Sequence, residues 1–191
     1  MSETSKEFTC QLSNLDATEA LGTALGTQLQ AGDLIILTGA LGAGKTTLTQ
    51  SLGLGLKVRE GIISPTFVLA RQHPSLVGGP GLIHVDAYRL KDHNDVDTLD
   101  LESTLAESVT VVEWGLGKVE HLTDSRLELQ LDREALAATT TPNVNPWEEE
   151  ADLDEPRLFT LKAIGPRWDE PAFEQLKSTL LEAVHTGELH A

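Results

Sequence analysis

Residues 33–47 read DLIILTGALGAGKTT. An apolar run of strand length, bounded by Gly32 and Gly39, leads into a glycine-rich turn and then into the start of a helical stretch. Such a run reads as a strand buried on both faces, as parallel strands are in α/β proteins. Within it, Gly39 to Thr47 satisfy the spacing G-x-x-x-x-G-K-[ST]. The placement tells more than the letters, because a phosphate-cradling loop needs a buried strand to deliver it and a helix to begin on it. Glycines permit backbone conformations that a Cβ forbids, so successive N–H groups can turn inward on phosphate oxygens at a helix N-terminus. Lys45 then supplies a point charge to the outer phosphates, and Thr46 a hydroxyl to Mg²⁺.

Working outward, KTTLTQSLG continues the loop as a short helix with Leu48 and Leu52 on one side. Upstream, Leu21, Leu25 and Leu29 recur every fourth residue and predict a helix over 16–30. Asp16 and Glu19 are placed as its capping pair, and Gly22 and Gly26 weaken it modestly.

A P-loop site also needs a carboxylate near the magnesium, normally at the C-terminal end of a buried strand beside the loop. Two residues qualify, Asp86 in LIHVDA and Glu113 in VTVVEW. Glu113 follows the more uniformly apolar run and is the better acid by pattern. Asp86 reads as a second acid beside the outer phosphate. One would bind metal while the other orients the attacking water, and the division between them stays open. Ser64 and Thr66 in SPTF add hydroxyls on a segment fixed by Pro65, suited to sensing a terminal phosphate. His84 reads as a core histidine, Arg71 as a surface residue and Arg89 as a candidate phosphate contact.

SPTFVLARQH and LIHVDAYRL, separated by PSLVGGPG, predict a β-hairpin with a loose loop. DHNDVDTLDLESTLAES has helical spacing and an acidic, solvated face. RLELQLD and RLFTLKA alternate polar and apolar residues and predict an antiparallel pair of half-buried strands. Between them, at about 135–156, lies a Thr-, Pro- and acid-rich stretch with six carboxylates from Glu148 to Glu155, expected to be a mobile surface insertion. Trp147 falls inside it. A terminal helix begins at Asp169, Glu170 and Pro171 and carries the stripe Phe173, Leu176, Leu180 and Val184. The fold class expected is α/β: a P-loop-type sheet flanked by helices, with an antiparallel portion.

At 191 residues the chain suits one domain, taken as residues 1–191. A composition of 40% apolar and 23% charged residues argues against wholesale disorder. No apolar run approaches the ~20 residues that span a bilayer, and the start lacks a signal-peptide core, so a cytoplasmic location with no membrane association is the default. The single cysteine, Cys10, has no disulfide or metal partner and is expected to be a small buried or half-buried thiol. A net charge of −16 argues against direct nucleic-acid binding, which requires Lys and Arg against phosphates. Any RNA in the biology would be held by another protein.

Taken in order, GALGAGKTT, SPTF, HVDAYRL and VVEW resemble the bacterial TsaE family of tRNA threonylcarbamoyladenosine biosynthesis ATPases over about Phe8 to Leu131. The resemblance implies a P-loop ATPase that works with TsaB and TsaD to attach a threonylcarbamoyl group to the adenosine beside the tRNA anticodon. It implies ATP phosphates on Leu41, Gly42, Ala43, Gly44, Lys45, Thr46 and Thr47, with Mg²⁺ on Thr46 and Glu113. It makes Lys45, Asp86 and Glu113 the catalytic set, with Ser64, Thr66 and Trp114 beside the nucleotide. Two features depart from the family pattern: Ala40 stands where an acid is common, and the acidic insertion is absent from short members. A small-molecule kinase shares the loop and the magnesium acid, but would often need an arginine-rich lid, and the seven arginines here are scattered. A GTPase would need an Asn-Lys-x-Asp guanine reader, which does not occur. A nucleotide-gated binding module that barely hydrolyses ATP is the third class.

Overall fold

The computed structural model describes residues 5–133 and 155–189. In chain order these form β1 (Ser5–Leu12), α1 (Leu15–Gln28), β2 (Leu34–Gly39), α2 (Lys45–Leu56), β3 (Ala70–His73) and β4 (Gly81–Asp86). There follow α3 (His93–Asp97), α4 (Leu101–Leu105), β5 (Ser108–Glu113), β6 (Arg126–Asp132), β7 (Arg157–Ile164) and α5 (Glu170–Leu189). The strands make one sheet in the order β1-β7-β6-β2-β5-β4-β3. Its centre is parallel: β2 lies between β6 and β5, and β4 runs alongside β5. The flanks are antiparallel, β3 against β4 on one side and β6-β7-β1 on the other.

Strand β2 is the central element because its side chains are buried on both faces. Ile35 and Leu37 join Val109 and Val111 beneath the leucines of α1, α2 and α5. Leu34 and Ile36 join Ile83, Val85 and Val112 beneath Val96 of α3 and Leu101 of α4. The apolar stripe of the terminal helix, Phe173, Leu176, Leu180 and Val184, is buried as the spacing predicts, with Asp169 Oδ1 accepting the Ala172 N–H at its start.

Several expectations change. Helix α1 is capped by Asn14, whose Oδ1 accepts the Ala17 N–H at 2.8 Å, and not by the Asp16 and Glu19 pair. Asn14 is the last extended residue before the helix, and its short side chain reaches the third helical N–H. The expected run SPTFVLARQH is strand only from Ala70. Residues 65–69 turn instead, with the Val68 and Leu69 N–H groups both donating to the Pro65 carbonyl and Leu69 at φ 66°. The acidic segment is two short helices broken at Asp100, which sits at φ 49°. Strand β1 was not foreseen. Arg71 lies half-buried in β3 and not on the open surface. The hairpin and the antiparallel pairing of β6 with β7 form as expected. The acidic insertion at about 135–156, with Trp147, lies almost wholly outside the described residues. Cys10 is half-buried, and burial together with the nearby Glu188 charge pushes its thiol pKa up to about 11.

The glycines of α1 have a structural use that outweighs their helix penalty. A Cβ on Gly26 would press into the Leu52 carbonyl and lie 2.9 Å from Gly55 Cα, and one on Gly55 would meet the Thr23 carbonyl. The two helices thus cross with backbone against backbone, which seats α2 and the loop that precedes it. Gly55→Ala gains up to ~1 kcal/mol of helix propensity. It also forces an overlap with backbone that cannot rotate away, costing roughly 1–3 kcal/mol or more. We expect net destabilisation, read as a melting temperature several degrees below wild type.

Candidate functional site

The loop between β2 and α2 takes its shape from two glycines in left-handed conformations, Gly42 at φ 78° and Gly44 at φ 101°. A side chain at either φ would be strained, so the turn depends on glycine there. Helix α2 begins at Lys45, directly on the loop. The Ala43 N–H closes the turn on the Ala40 carbonyl at 3.1 Å.

Lys45 points back into the loop. Its Nζ donates to the carbonyls of Gly39 (2.8 Å) and Ala40 (3.0 Å) and lies 4.5 Å from the centre of the Trp114 ring. The residue is only 5% exposed. Burial lowers its pKa, and the negative charges of Glu113 and Asp86 oppose that shift. The ammonium therefore lies within the field of both acids.

Those acids come together because their strands are neighbours in parallel register. Asp86 pairs with Glu113, and Glu113 with Leu37 of the strand that feeds the loop. Both carboxylates stand at strand ends on the same face of the sheet, and both are buried. Glu113 Oε1 accepts a 2.8 Å hydrogen bond from Nε2 of His84, a fully buried residue two positions before Asp86 on β4. That bond uses Oε1 and not Oε2. Asp86 is held differently: Oδ1 accepts the Tyr88 N–H at 2.9 Å and Oδ2 the Thr66 hydroxyl at 2.7 Å. Ser64 Oγ lies 2.7 Å from Thr66 Oγ1, so the SPTF turn is tied to Asp86 through its hydroxyls.

Trp114 has a left-handed backbone, φ 60°, and its N–H donates to the Leu37 carbonyl. This turns the indole over Lys45 and edge-on to Tyr88, with ring centres 5.5 Å apart. Thr46 and Thr47 occupy the first turn of α2, both half-buried. Leu41, at the tip of the loop, is 94% exposed. The Arg89 guanidinium lies over the Phe67 ring.

The structure thus brings Lys45, Asp86, Glu113, Thr66 and Trp114 together around the loop, with Ser64 one hydrogen bond further out. His84 is the buried core histidine that its strand position predicts, and the structure adds its hydrogen bond to Glu113. The available signal was its spacing: two residues before Asp86 on a strand puts both on one face. The donor set suits a magnesium–polyphosphate group: a glycine-shaped amide loop at a helix start, a buried lysine, a threonine hydroxyl and a hard carboxylate oxygen.

A glycine-rich loop joining a buried parallel strand to a helix, with acids at the ends of the adjacent strands, defines a P-loop-like α/β protein. Residues 12–140 match the family described as Threonylcarbamoyl adenosine biosynthesis protein TsaE, and the chain belongs to that family. The tRNA threonylcarbamoyladenosine biosynthesis protein TsaE of Streptomyces coelicolor is 52% identical over 149 residues, covering 78% of this chain and 91% of the relative. The protein of the same description from Mycobacterium tuberculosis H37Rv is 46% identical over 132 residues, 65% of this chain and 79% of the relative. Among solved structures, that of Bacillus subtilis YdiB matches with a TM-score of 0.67 and 26% identity, covering 93% of this chain and 98% of YdiB.

Proposed function

We propose that the protein is the magnesium-dependent, ATP-hydrolysing subunit required to form the threonylcarbamoyl group on the adenosine beside the tRNA anticodon, acting with TsaB and TsaD. The observation that carries the reading is the convergence of the buried Lys45 ammonium with Glu113 and Asp86 at the mouth of the glycine loop.

In this reading the amides of residues 41–46 hold the phosphates, and Lys45 leaves its loop carbonyls to neutralise the outer ones. Thr46 and the Glu113 carboxylate would hold the magnesium, while His84 fixes that carboxylate through Oε1. Magnesium, when bound, supplies charge neutralisation on the outer phosphates. Asp86, braced by Thr66 and the Tyr88 N–H, orients the attacking water. Trp114 covers the lysine and limits water at the site.

The same contacts suggest how hydrolysis reaches a partner. Thr66 links Asp86 to a turn whose apolar side chains are exposed: Ile63, Phe67 and Val68. Leu41, Tyr88 and Leu116, on segments that follow β2, β4 and β5, are exposed as well, and exposed apolar side chains of this kind support docking against protein. A net charge of −16 supports contact with tRNA through TsaB and TsaD and not directly. Among the described residues no helix is long and apolar enough to cross a membrane. We place the activity in the cytoplasm, with tRNA.

Incubation with Mg²⁺ and ATP, alone and with TsaB and TsaD, tests the reading. ADP release that rises on adding the partners supports it. Transfer of phosphate to a small metabolite without the partners would instead identify a kinase.

A further inference from the structure

Two arginines distant in sequence grip the outside of the glycine loop. Arg157, the first residue of β7, donates from Nε to the Ala43 carbonyl at 3.0 Å and from Nη1 to the Glu155 carbonyl at 2.8 Å. Arg133, just past the end of β6, donates from Nη1 to the Gly42 carbonyl at 3.3 Å. Its Nε and Nη2 both reach the Glu155 carboxylate, at 3.1 and 2.5 Å. Glu155 therefore ties the two guanidinium groups together, one through its side chain and one through its backbone.

The topology explains the meeting. Strand β6 runs parallel beside β2 in a register that sets Leu131 against Gly39, so its C-terminal end emerges at the loop. Strand β7 returns antiparallel and starts at the same place. Arg157 is 5% exposed, and burying a guanidinium is costly unless its donors are met. Here they are met by backbone carbonyls of the loop and of Glu155.

A peptide unit is planar and trans, so its carbonyl and its N–H point in opposite directions. Holding the Ala43 carbonyl outward turns the Gly44 N–H inward, while holding the Gly42 carbonyl steadies the neighbouring peptide, whose Ala43 N–H closes the turn on Ala40. Gly42 and Gly44, at φ 78° and 101°, have little intrinsic preference to keep those planes fixed. An anion-binding loop gains most when its amides are aimed before the anion arrives.

We propose that Arg157, supported by Arg133 and Glu155, is a positioning residue for phosphate binding, locking the Ala43–Gly44 peptide so that its N–H faces the polyphosphate of a nucleotide. The inference rests on the nucleotide-binding reading above. It assigns a role to Arg157 on β7, which lies outside the matched span 12–140.

The test is equilibrium binding of ADP with Mg²⁺ to the full chain by calorimetry, with amide hydrogen exchange on the same samples. Arg157→Gln is expected to weaken ADP binding about tenfold or more, the worth of a charge-assisted hydrogen bond. Exchange should speed up in residues 40–46 while β2 and β5 keep wild-type protection. Arg157→Lys keeps the charge but cannot hold both carbonyls, and should fall between the two. Arg133→Gln should give a smaller loss. If Arg157→Gln fails to fold, Arg157→Lys decides the matter. Wild-type affinity and wild-type loop exchange in whichever of the two folds would overturn the role. Uniformly faster exchange across the sheet would reduce Arg157 to a general stabilising residue and overturn it too. Failure of the wild-type chain itself to bind ADP or ATP would instead strike the nucleotide reading, and this inference with it.

Discussion

Lys45→Met is expected to bring partner-stimulated ATP hydrolysis down by about 10²–10³-fold, the loss typical of removing one donor aimed at developing charge. The variant should fold normally. Lys45 is held at 5% exposure with its ammonium on two loop carbonyls, and burial already lowers its pKa. Methionine keeps an unbranched chain of similar length beneath Trp114 and removes a charge whose desolvation costs the folded state. The melting temperature without nucleotide should therefore stay near wild type, while ATP turnover collapses. Parallel measurement of ADP release and thermal unfolding checks both halves. A variant that melts normally and still hydrolyses ATP at the wild-type rate would contradict the role given to the lysine.

Glu113→Gln is expected to cost a similar factor, about 10²-fold, but through magnesium. Glutamine keeps a carbonyl oxygen where Oε1 accepts from His84, so the buried contact at 2.8 Å has a replacement acceptor. What disappears is the negative charge and its hard oxygen at the end of β5. The Mg²⁺ concentration needed for half-maximal hydrolysis should rise. Asp86→Asn should behave differently: magnesium-dependent nucleotide binding survives while hydrolysis is lost. A magnesium titration of ATP binding and turnover in the two variants separates the acids. Identical magnesium curves for Glu113→Gln and wild type would reassign the metal to Asp86.

How much of this was legible in the residues depended on how far apart the interacting groups lie in the chain. The loop was readable because its strand, glycines, lysine and helix are contiguous, and each obeys a local rule. Glu113 and Asp86 were readable as strand ends, since an apolar run that stops on an acid is itself a local signal. The SPTF hydroxyls could be named, but their grip on Asp86 20 residues later could not. His84 reads as a core histidine and is one, but its bond to Glu113 is hidden for the same reason: that partner sits on the next strand, 29 residues on. Strand β1 escaped because it is an edge strand whose pairing partner, β7, is encoded some 150 residues away. The Arg157 contact with Ala43 spans 114 residues and no spacing rule reaches it. Gly22 and Gly26 read as modest helix defects, because the close approach to α2 that requires them exists only once α1 lies on α2.

If the glycine loop and its two acids couple ATP hydrolysis to tRNA modification, the modified nucleoside should form only while ATP is consumed. The most direct measurement is the yield of threonylcarbamoyladenosine in a reconstituted system of this protein, TsaB, TsaD, tRNA and a threonylcarbamoyl donor, with ATP and Mg²⁺ present or omitted. Sustained formation is expected only with hydrolysable ATP and Mg²⁺, and none when Lys45→Met replaces the wild type. Equal yields without ATP, or with the Lys45 variant, would contradict it.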